Sequence, residues 1–189
     1  MKRGLLIVIS GPSGVGKDTL IRRLLELDRN LVYSVSGTTR APRPGEKPDE
    51  NYTFLSREQF QKLIEQGVFL EHAYYDGNLY GTFRDRVERI RNQGRDVLLK
   101  IDVQGAEQVH RLLPEGVFIF IAPPSAEELE RRQKERNSES SEDQATRLKI
   151  AEREMTYASN YDHVVTNDDV ERAVGEIQRI IGAARPRQT

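Results

Sequence analysis

Two patterns of apolar and polar residues occur along the chain, and together they predict a mixed α/β fold. Short continuous apolar runs, typical of strands buried on both faces, alternate with stretches in which apolar residues recur every three to four positions. The predicted strands lie at 5–9, 32–36, 97–102, 117–121 and 163–166, and the predicted helices at about 17–28, 84–92, 105–112, 126–136, 142–159 and 170–183. This alternation predicts a doubly wound parallel sheet with ligands at the carboxyl ends of its strands.

The region 36–83 departs from this alternation. Asp76-Gly77 separates two strand-like runs, 69–75 and 78–83, and indicates an antiparallel hairpin. Before it, we expect an irregular loop over 37–46, a strand at 52–55 and a helix over 57–66 that Ser56 caps. We therefore expect an inserted subdomain here.

A glycine-rich loop follows the first apolar run and precedes the first helix. It has the G-x-x-x-x-G-K spacing of a phosphate-binding loop in the strand–loop–helix context that this motif requires. Its backbone amides and the helix N-terminus suit phosphate oxygens, and its lysine can reach the β- and γ-phosphates. The candidate ATP-binding residues are Gly11, Pro12, Ser13, Gly14, Val15, Gly16, Lys17, Asp18 and Thr19.

One position departs from the motif. The residue after the lysine is normally Ser or Thr, whose hydroxyl binds Mg²⁺, but here it is Asp18. Thr19 cannot replace it, because one helical step rotates a side chain by roughly 100°. The Asp18 carboxylate can bind magnesium directly as a hard oxygen ligand, whereas without metal it would repel the triphosphate.

Composition narrows the class of protein. The 189 residues suit one α/β domain, and the absence of cysteine excludes disulfides and thiolate metal sites. A net charge of −1 gives no general attraction to nucleic acid or anionic membranes. The N-terminal apolar run is too short for a signal peptide, and no stretch approaches the roughly 20 apolar residues of a membrane span. We expect a cytoplasmic protein with no nucleic-acid or membrane partner, whose oligomeric state the sequence leaves open.

Two further groups of side chains suit nucleotide chemistry. In the loop and strands after the first helix, Ser36, Arg40, Arg43 and Tyr52 offer hydroxyls and guanidinium groups for a phosphate. On the hairpin, Glu71 can accept hydrogen bonds from guanine N1–H and its 2-amino group, while hydroxyls such as those of Tyr80 and Thr82 can donate. Each alone is an ordinary surface residue, but together beside a phosphate loop they indicate a second nucleotide site.

Arginines flank a serine-rich segment at 137–141. The set is Arg131, Arg132, Arg136 and Arg147. One interpretation is a solvated helix face on which glutamates pair with the arginines at i,i+4. The other is a lid that brings arginines onto a transferring phosphoryl group.

At this point the chain resembles the guanylate kinase family over essentially its whole length. The matching segments, in order and spacing, are the phosphate loop, 36–46, Tyr52, 69–71, 77–82, 101–105 and 166–168, and the T-T-R-x-P-R-x-G-E stretch is highly specific. The resemblance implies a P-loop kinase three-layer α/β fold with a parallel sheet core, an inserted mixed α+β GMP-binding subdomain and a short helical lid. It implies a core of 1–35, 84–125 and 148–189, the GMP-binding subdomain at 36–83 and the lid at 126–147.

The resemblance also implies an activity and roles. The reaction is phosphorylation of GMP, and of dGMP, by ATP with Mg²⁺. Arg40, Arg43, Tyr52 and Tyr80 would hold the GMP phosphate, and Ser36, Glu71, Thr82 and Asp102 would bind guanine. Lys17, Arg132, Arg136 and Arg147 would stabilise the transferring phosphoryl group, and Asn167 would lie near the adenine.

A second departure concerns Lys100, where the family usually has an acidic residue. Because side chains alternate along a strand, we expect Lys100 and Asp102 to share one face. One hypothesis is an acid–base exchange in which Asp18 supplies a carboxylate near magnesium and Lys100 offsets its charge. The other is an Asp18–Lys100 salt bridge that removes both from catalysis. A double-mutant cycle on Asp18→Ser and Lys100→Asp tests the exchange, which additivity in log kcat would contradict.

Two alternative functions stay open. Ribose 1,5-bisphosphate phosphokinase resembles this family and carries G-K-D in its phosphate loop, but a ribosyl acceptor has no base for Glu71 and Thr82 to bind. A non-catalytic guanylate-kinase-like module that binds a phosphorylated partner is the alternative from a different class. Comparing turnover on GMP with turnover on ribose 1,5-bisphosphate tests the first alternative. ATP binding without formation of GDP would favour the second.

Overall fold

Nine strands and seven helices make up the part of the chain that is described. The structure is a computed structural model that describes residues 2–136 and 149–185, with only the backbone of Arg136. The strands are β1 (Leu6–Ser10), β2 (Leu31–Tyr33), β3 (Gly37–Thr38), β4 (Thr53–Phe54), β5 (Phe69–Tyr75), β6 (Asn78–Phe83), β7 (Asp96–Lys100), β8 (Val117–Ala122) and β9 (His163–Thr166). The helices are α1 (Lys17–Leu27), α2 (Arg57–Glu65), α3 (Arg84–Asn92), α4 (Val103–Leu112), α5 (Ala126–Arg136), α6 (149–155) and α7 (Val170–Ala184).

The chain forms two compact units. One comprises Ile7–Arg29 and Val117–Thr189, and is called the phosphate-loop unit below. The other comprises Met1–Leu6 and Asn30–Gly116, and is called the mixed-sheet unit. Within both described ranges, 2–136 and 149–185, no helix combines the length and apolarity needed to cross a bilayer.

The phosphate-loop unit is built on parallel strands. β8 pairs with β1 from Ile7↔Val117 onward and with β9 from Ile119↔His163 onward, so it lies between them. All six of its residues are buried, which confirms the prediction that this apolar run is a central parallel strand. Helix α7 adds a buried apolar stripe, at helical spacing, of Ala173, Val174, Ile177 and Ile181.

The mixed-sheet unit holds a parallel pair, β2 with β7, and a four-stranded sheet in the order β4-β3-β6-β5. The hairpin of β5 and β6 has the predicted bounds. Asp76 and Gly77 both adopt positive φ, 46° and 79°, as a type I′ turn requires. Helix α2 begins after the predicted Ser56 cap, which forms a reciprocal capping box with Gln59.

Strand β5 is the edge of that four-stranded sheet, and two glutamines of α4 contact its backbone. Gln108 accepts a hydrogen bond from the His72 amide at 3.4 Å and donates one to the His72 carbonyl at 2.8 Å. One turn earlier, Gln104 donates to the Tyr74 carbonyl at 3.4 Å. Side-chain amides therefore occupy backbone groups that a further strand would use.

Several predicted boundaries were wrong. The 37–46 loop is not irregular throughout, because Gly37–Thr38 pairs with both β4 and β6. The strand predicted at 32–36 ends at Tyr33, so Ser36 lies just before β3. The helix predicted over 142–159 ends at 155 and is followed by a turn and the 3₁₀ segment Ala158–Asn160; its predicted start falls outside the described residues.

Candidate nucleotide-binding site

The phosphate loop needs glycine at positions where other residues would be strained. Gly11 and Gly16 have φ of 142° and 98°. A Cβ on Gly11 would lie 2.3 Å from the Ile121 carbonyl oxygen, and one on Gly16 would lie 2.5 Å from Nδ2 of Asn167. The motif spacing therefore reflects close backbone packing as well as left-handed conformation.

Lys17 opens helix α1 and folds back over the loop. Its ammonium group donates hydrogen bonds to the carbonyl oxygens of Gly11 and, at 2.9 Å, Pro12. The residue at the helix cap is Gly16, so the N-terminus of α1 carries no bulky cap, and such a terminus is a favourable place for an anion. The loop and the lysine are thus placed together, as a phosphate site requires.

Three side chains outside the motif hold the loop in shape. The buried Asn167 amide donates to the Val15 carbonyl at 2.7 Å, and Gln133 donates to the Ser13 carbonyl at 2.7 Å. Arg132 donates to the Asn167 carbonyl at 3.1 Å and to the Val15 carbonyl at 3.5 Å. Sequence reasoning missed Gln133, although its position four residues after the buried Leu129 places it on the inner face of α5.

Two arginines of α5, Arg131 and Arg132, are already paired with glutamates of the same helix. Glu128 accepts hydrogen bonds from both Arg131 and Arg132, and these bonds lower the pKa of its carboxyl to about 2. Arg131 also pairs with Glu135 on the exposed side of the helix, which fits the i,i+4 interpretation for that residue. The side chain of Arg136 and all of Arg147 lie outside the described residues, so their predicted roles stay predictions.

Asp18 is exposed in the first turn of α1, next to Lys17. In the two described ranges, no group of three or more His, Asp or Glu side chains is arranged to hold a metal ion. Magnesium typically uses one or two carboxylates, substrate phosphates and water, and does not need an all-protein cage. A single carboxylate beside a phosphate loop fits that requirement.

In the mixed-sheet unit, the side chain of Arg40 is held by Glu46, which lies in the same loop, 37–46. Its guanidinium group donates to both carboxylate oxygens of Glu46, at 2.8 and 3.0 Å, and lies 5.4 Å from the centre of the Tyr52 ring. The Arg43 backbone amide also donates to Glu46, at 2.7 Å. Although burial alone would raise the pKa of Glu46, these hydrogen bonds lower it. Glu46 thus positions Arg40, a role that sequence reasoning did not assign.

The two tyrosines predicted to bind phosphate, Tyr52 and Tyr80, lie beside Arg40. The rings of Tyr52 and Tyr80 contact edge-on at 6.0 Å, and burial raises the pKa of Tyr80. Arg40, Tyr52 and Tyr80 are therefore brought together as expected of an anion site, while the side chain of Arg43 is exposed at the surface.

The hairpin carboxylate is buried. Glu71 lies opposite Thr82 in the β5–β6 pair, and the Thr82 hydroxyl donates to its Oε1 at 2.6 Å. Burial raises the pKa of Glu71 to about 7, an effect to which the charge of Asp102 adds and which the Thr82 hydrogen bond opposes. A Cβ on Gly105 would lie 2.4 Å from Oε2 of Glu71, so a side chain there would displace the carboxylate.

The expectation that Lys100 and Asp102 share a strand face was wrong. Strand β7 ends at Lys100, because Asp102 is the N-cap of α4 and accepts hydrogen bonds from the amides of Gln104 and Gly105, at 2.8 and 2.9 Å. The Lys100 ammonium group lies 5.2 Å from the centre of the Tyr52 ring. Ser36 is buried, and its carbonyl accepts from the Thr53 amide.

A phosphate loop between a buried parallel strand and a helix defines the chain as a P-loop kinase of the α/β class. A solved shikimate kinase from Bacteroides thetaiotaomicron, 15% identical with a TM-score of 0.51, is similar in fold alone. A family model described as guanylate kinase matches residues 3–184. The chain belongs to the guanylate kinase family.

Individual relatives agree with this assignment. The guanylate kinase of Caldanaerobacter subterraneus subsp. tengcongensis is 50% identical over 98% of this chain and 90% of its own length. That of Rubrobacter xylanophilus is 49% identical over 98% of this chain and all of its own length. The crystal structure of guanylate kinase from Anaplasma phagocytophilum is 40% identical, has a TM-score of 0.82 and matches 96% of this chain and 86% of its own.

Proposed function

We propose that the chain transfers the γ-phosphoryl group of ATP to GMP, and to dGMP, giving ADP and the corresponding diphosphate. The observation that carries this proposal is the buried Glu71–Thr82 pair, a carboxylate and a hydroxyl at 2.6 Å in the same chain as an intact phosphate loop. A carboxylate oxygen pair matches the adjacent N1–H and 2-amino donors of guanine, which adenine does not present. Family membership points to the same acceptor.

The chemistry needs no nucleophilic side chain. An ionised phosphate oxygen of GMP attacks the γ-phosphorus of ATP, a new P–O bond forms, and the bond to the β,γ-bridging oxygen breaks with its electron pair leaving on ADP. Catalysis is then positioning and charge stabilisation. Lys17 and Arg132 would stabilise the transferring group, while Arg40, Tyr52 and Tyr80 orient the acceptor phosphate.

Magnesium would be held by Asp18 together with ATP phosphates. When bound, the ion neutralises phosphate charge and helps to orient the triphosphate. Asp18 also supports an alternative function, that of ribose 1,5-bisphosphate phosphokinase, because that enzyme shares the G-K-D sequence. A non-catalytic module would likewise bind ATP without turnover.

A panel of acceptors tests the proposal. We expect ADP formation from ATP with GMP, at least a hundredfold faster than with AMP, UMP or ribose 1,5-bisphosphate, because a site built to hydrogen-bond one base strongly rejects acceptors that lack its donors. Chelation of magnesium should reduce this turnover to background. The measurement is coupled ADP detection, with GDP identified by chromatography.

Each other outcome has a definite meaning. Turnover confined to ribose 1,5-bisphosphate would replace the proposal by the ribosyl kinase. ATP binding by calorimetry with no turnover on any acceptor would favour the binding module, with Asp18 and Lys100 as disabling changes. Turnover on GMP that persists without magnesium would overturn the role of Asp18 as a metal ligand.

A further inference from the structure

Two cationic side chains of the mixed-sheet unit contact one aromatic ring. The guanidinium carbon of Arg40 lies 5.4 Å from the centre of the Tyr52 ring, and Nζ of Lys100 lies 5.2 Å from the same centre. Both distances fall within the range of cation–π contact. They bring the side chain of Lys100, from the end of β7, into the cluster formed by Arg40, Tyr52 and Tyr80.

Lys100 adds a second cationic side chain to this cluster. Both terminal oxygens of Glu46 accept from Arg40, so that pair together carries little net charge. A phosphate monoester carries nearly two negative charges at neutral pH, and phosphate sites usually offer several cationic donors. A lysine is a mobile point charge on a flexible stem, which suits a phosphate that arrives beside an already fixed arginine.

We propose that Lys100 is a further phosphate-binding residue of the acceptor site and pairs with the dianionic phosphate of GMP beside Arg40. This inference rests on the proposed function. It assigns to this chain's own lysine a task at a position where the family usually has an acidic residue. It also differs from the acid–base exchange hypothesis, in which Lys100 responds to Asp18 and would act on kcat.

A comparison of GMP binding with guanosine binding shows whether Lys100 binds the phosphate or shapes the site in general. Guanosine has the same base and sugar without the phosphate. We expect Lys100→Met to weaken GMP binding about tenfold in calorimetry, the size of one charge-assisted hydrogen bond, and to change guanosine binding less than twofold. Lys100→Arg should stay within threefold of the wild type for GMP. Lys62→Met, which removes an exposed lysine of α2 in the same unit, is the matched control and should bind both ligands as the wild type does.

Kinetics supply a second readout. Lys100→Met should raise the KM for GMP about tenfold and leave the KM for ATP and kcat within twofold. Equal losses for GMP and guanosine, or no loss for either, would overturn the inference, since Lys100 would then shape the site generally or not act there. A loss confined to kcat would also overturn it in favour of coupling to Asp18.

Failure of the proposed function gives a different pattern. A wild-type protein whose GMP affinity depends on Lys100 but which forms no GDP would support this inference and overturn the kinase assignment. A wild-type protein that binds GMP no more tightly than guanosine would overturn the inference alone if GDP is still formed. Binding of neither ligand would overturn both.

Discussion

Replacing Lys17 by methionine should lower kcat for GDP formation about a thousandfold. The ammonium group is the one cation that the phosphate loop itself supplies, and charge placed where the transferring group develops its own charge is worth about 10²–10³ in rate. This ammonium donates to the carbonyl oxygens of Gly11 and Pro12, so it is located at the loop. Single-turnover measurement with saturating ATP and GMP reports the chemical step directly.

The controls separate charge from fold. Arg22→Met removes an exposed cation from the same helix and should leave kcat within twofold. Lys17→Arg keeps the charge but carries a planar guanidinium group, so we expect only partial recovery. GMP affinity should be the same in Lys17→Met and the wild type. A Lys17→Met variant that retained more than a tenth of wild-type kcat would contradict the assignment of this lysine to phosphoryl transfer.

Replacing Glu71 by glutamine should lower kcat/KM for GMP about a thousandfold and, at pH 8, make the unliganded protein more stable. The carboxamide keeps one acceptor oxygen but places an NH₂ group where guanine also donates. One charged hydrogen bond is lost and one buried donor is left unpaired, together about 4 kcal/mol. The acceptor panel, repeated with this variant, measures the loss against AMP.

The stability gain follows from the raised pKa of Glu71, about 7 against an ordinary 4.5. Between these values the folded protein binds more protons than the unfolded chain, so the free energy of unfolding falls as pH rises from 4.5 to 7. Above pH 7 the ionised, buried carboxylate costs about 3 kcal/mol. Glu71→Gln removes this cost, and its advantage over the wild type should disappear as the pH approaches 4.5.

Guanosine binding gives the matching pH profile without a titrating phosphate. If Glu71 binds guanine as a carboxylate, guanosine affinity in the wild type should fall about tenfold for each pH unit below about 7 and stay flat above it. Glu65→Gln, a change at an exposed carboxyl on α2, should reproduce the wild-type profile. A wild-type profile that stays flat from pH 5 to 8 would show that Glu71 does not bind guanine as a carboxylate.

Much of the fold was predictable because local and tertiary preferences agree. The Asp76-Gly77 turn, the Ser56 helix cap and the apolar run of β8 each specify one structure by themselves, and all three were found as predicted. The phosphate loop was predictable for the same reason, since glycine spacing and strand–loop–helix context coincide.

The errors in the predicted boundaries arose where the local sequence favours one structure and a contact in the folded chain gives another. Asp102 continues an apolar run and so suggests a strand, yet its side chain caps α4, and the cap prevails. Gly37–Thr38 lies in a stretch rich in Pro and Gly, but pairing on both sides makes it a strand. Glu46 acts through the guanidinium group of Arg40, and Gln133 acts through a carbonyl group 120 residues away. Neither contact is encoded by helix or strand periodicity.

The two glutamines of α4 have a consequence for solubility. A β5 edge with open backbone groups could recruit another copy of the chain during folding, and the Gln108 amide imitates a neighbouring strand by accepting from and donating to the same residue, His72. The helix that provides this protection is also the one that begins at Asp102, beside the Glu71 carboxylate. A substitution in this one helix can therefore alter both the protection of the β5 edge and, on the proposed function, the surroundings of the carboxylate that binds the base.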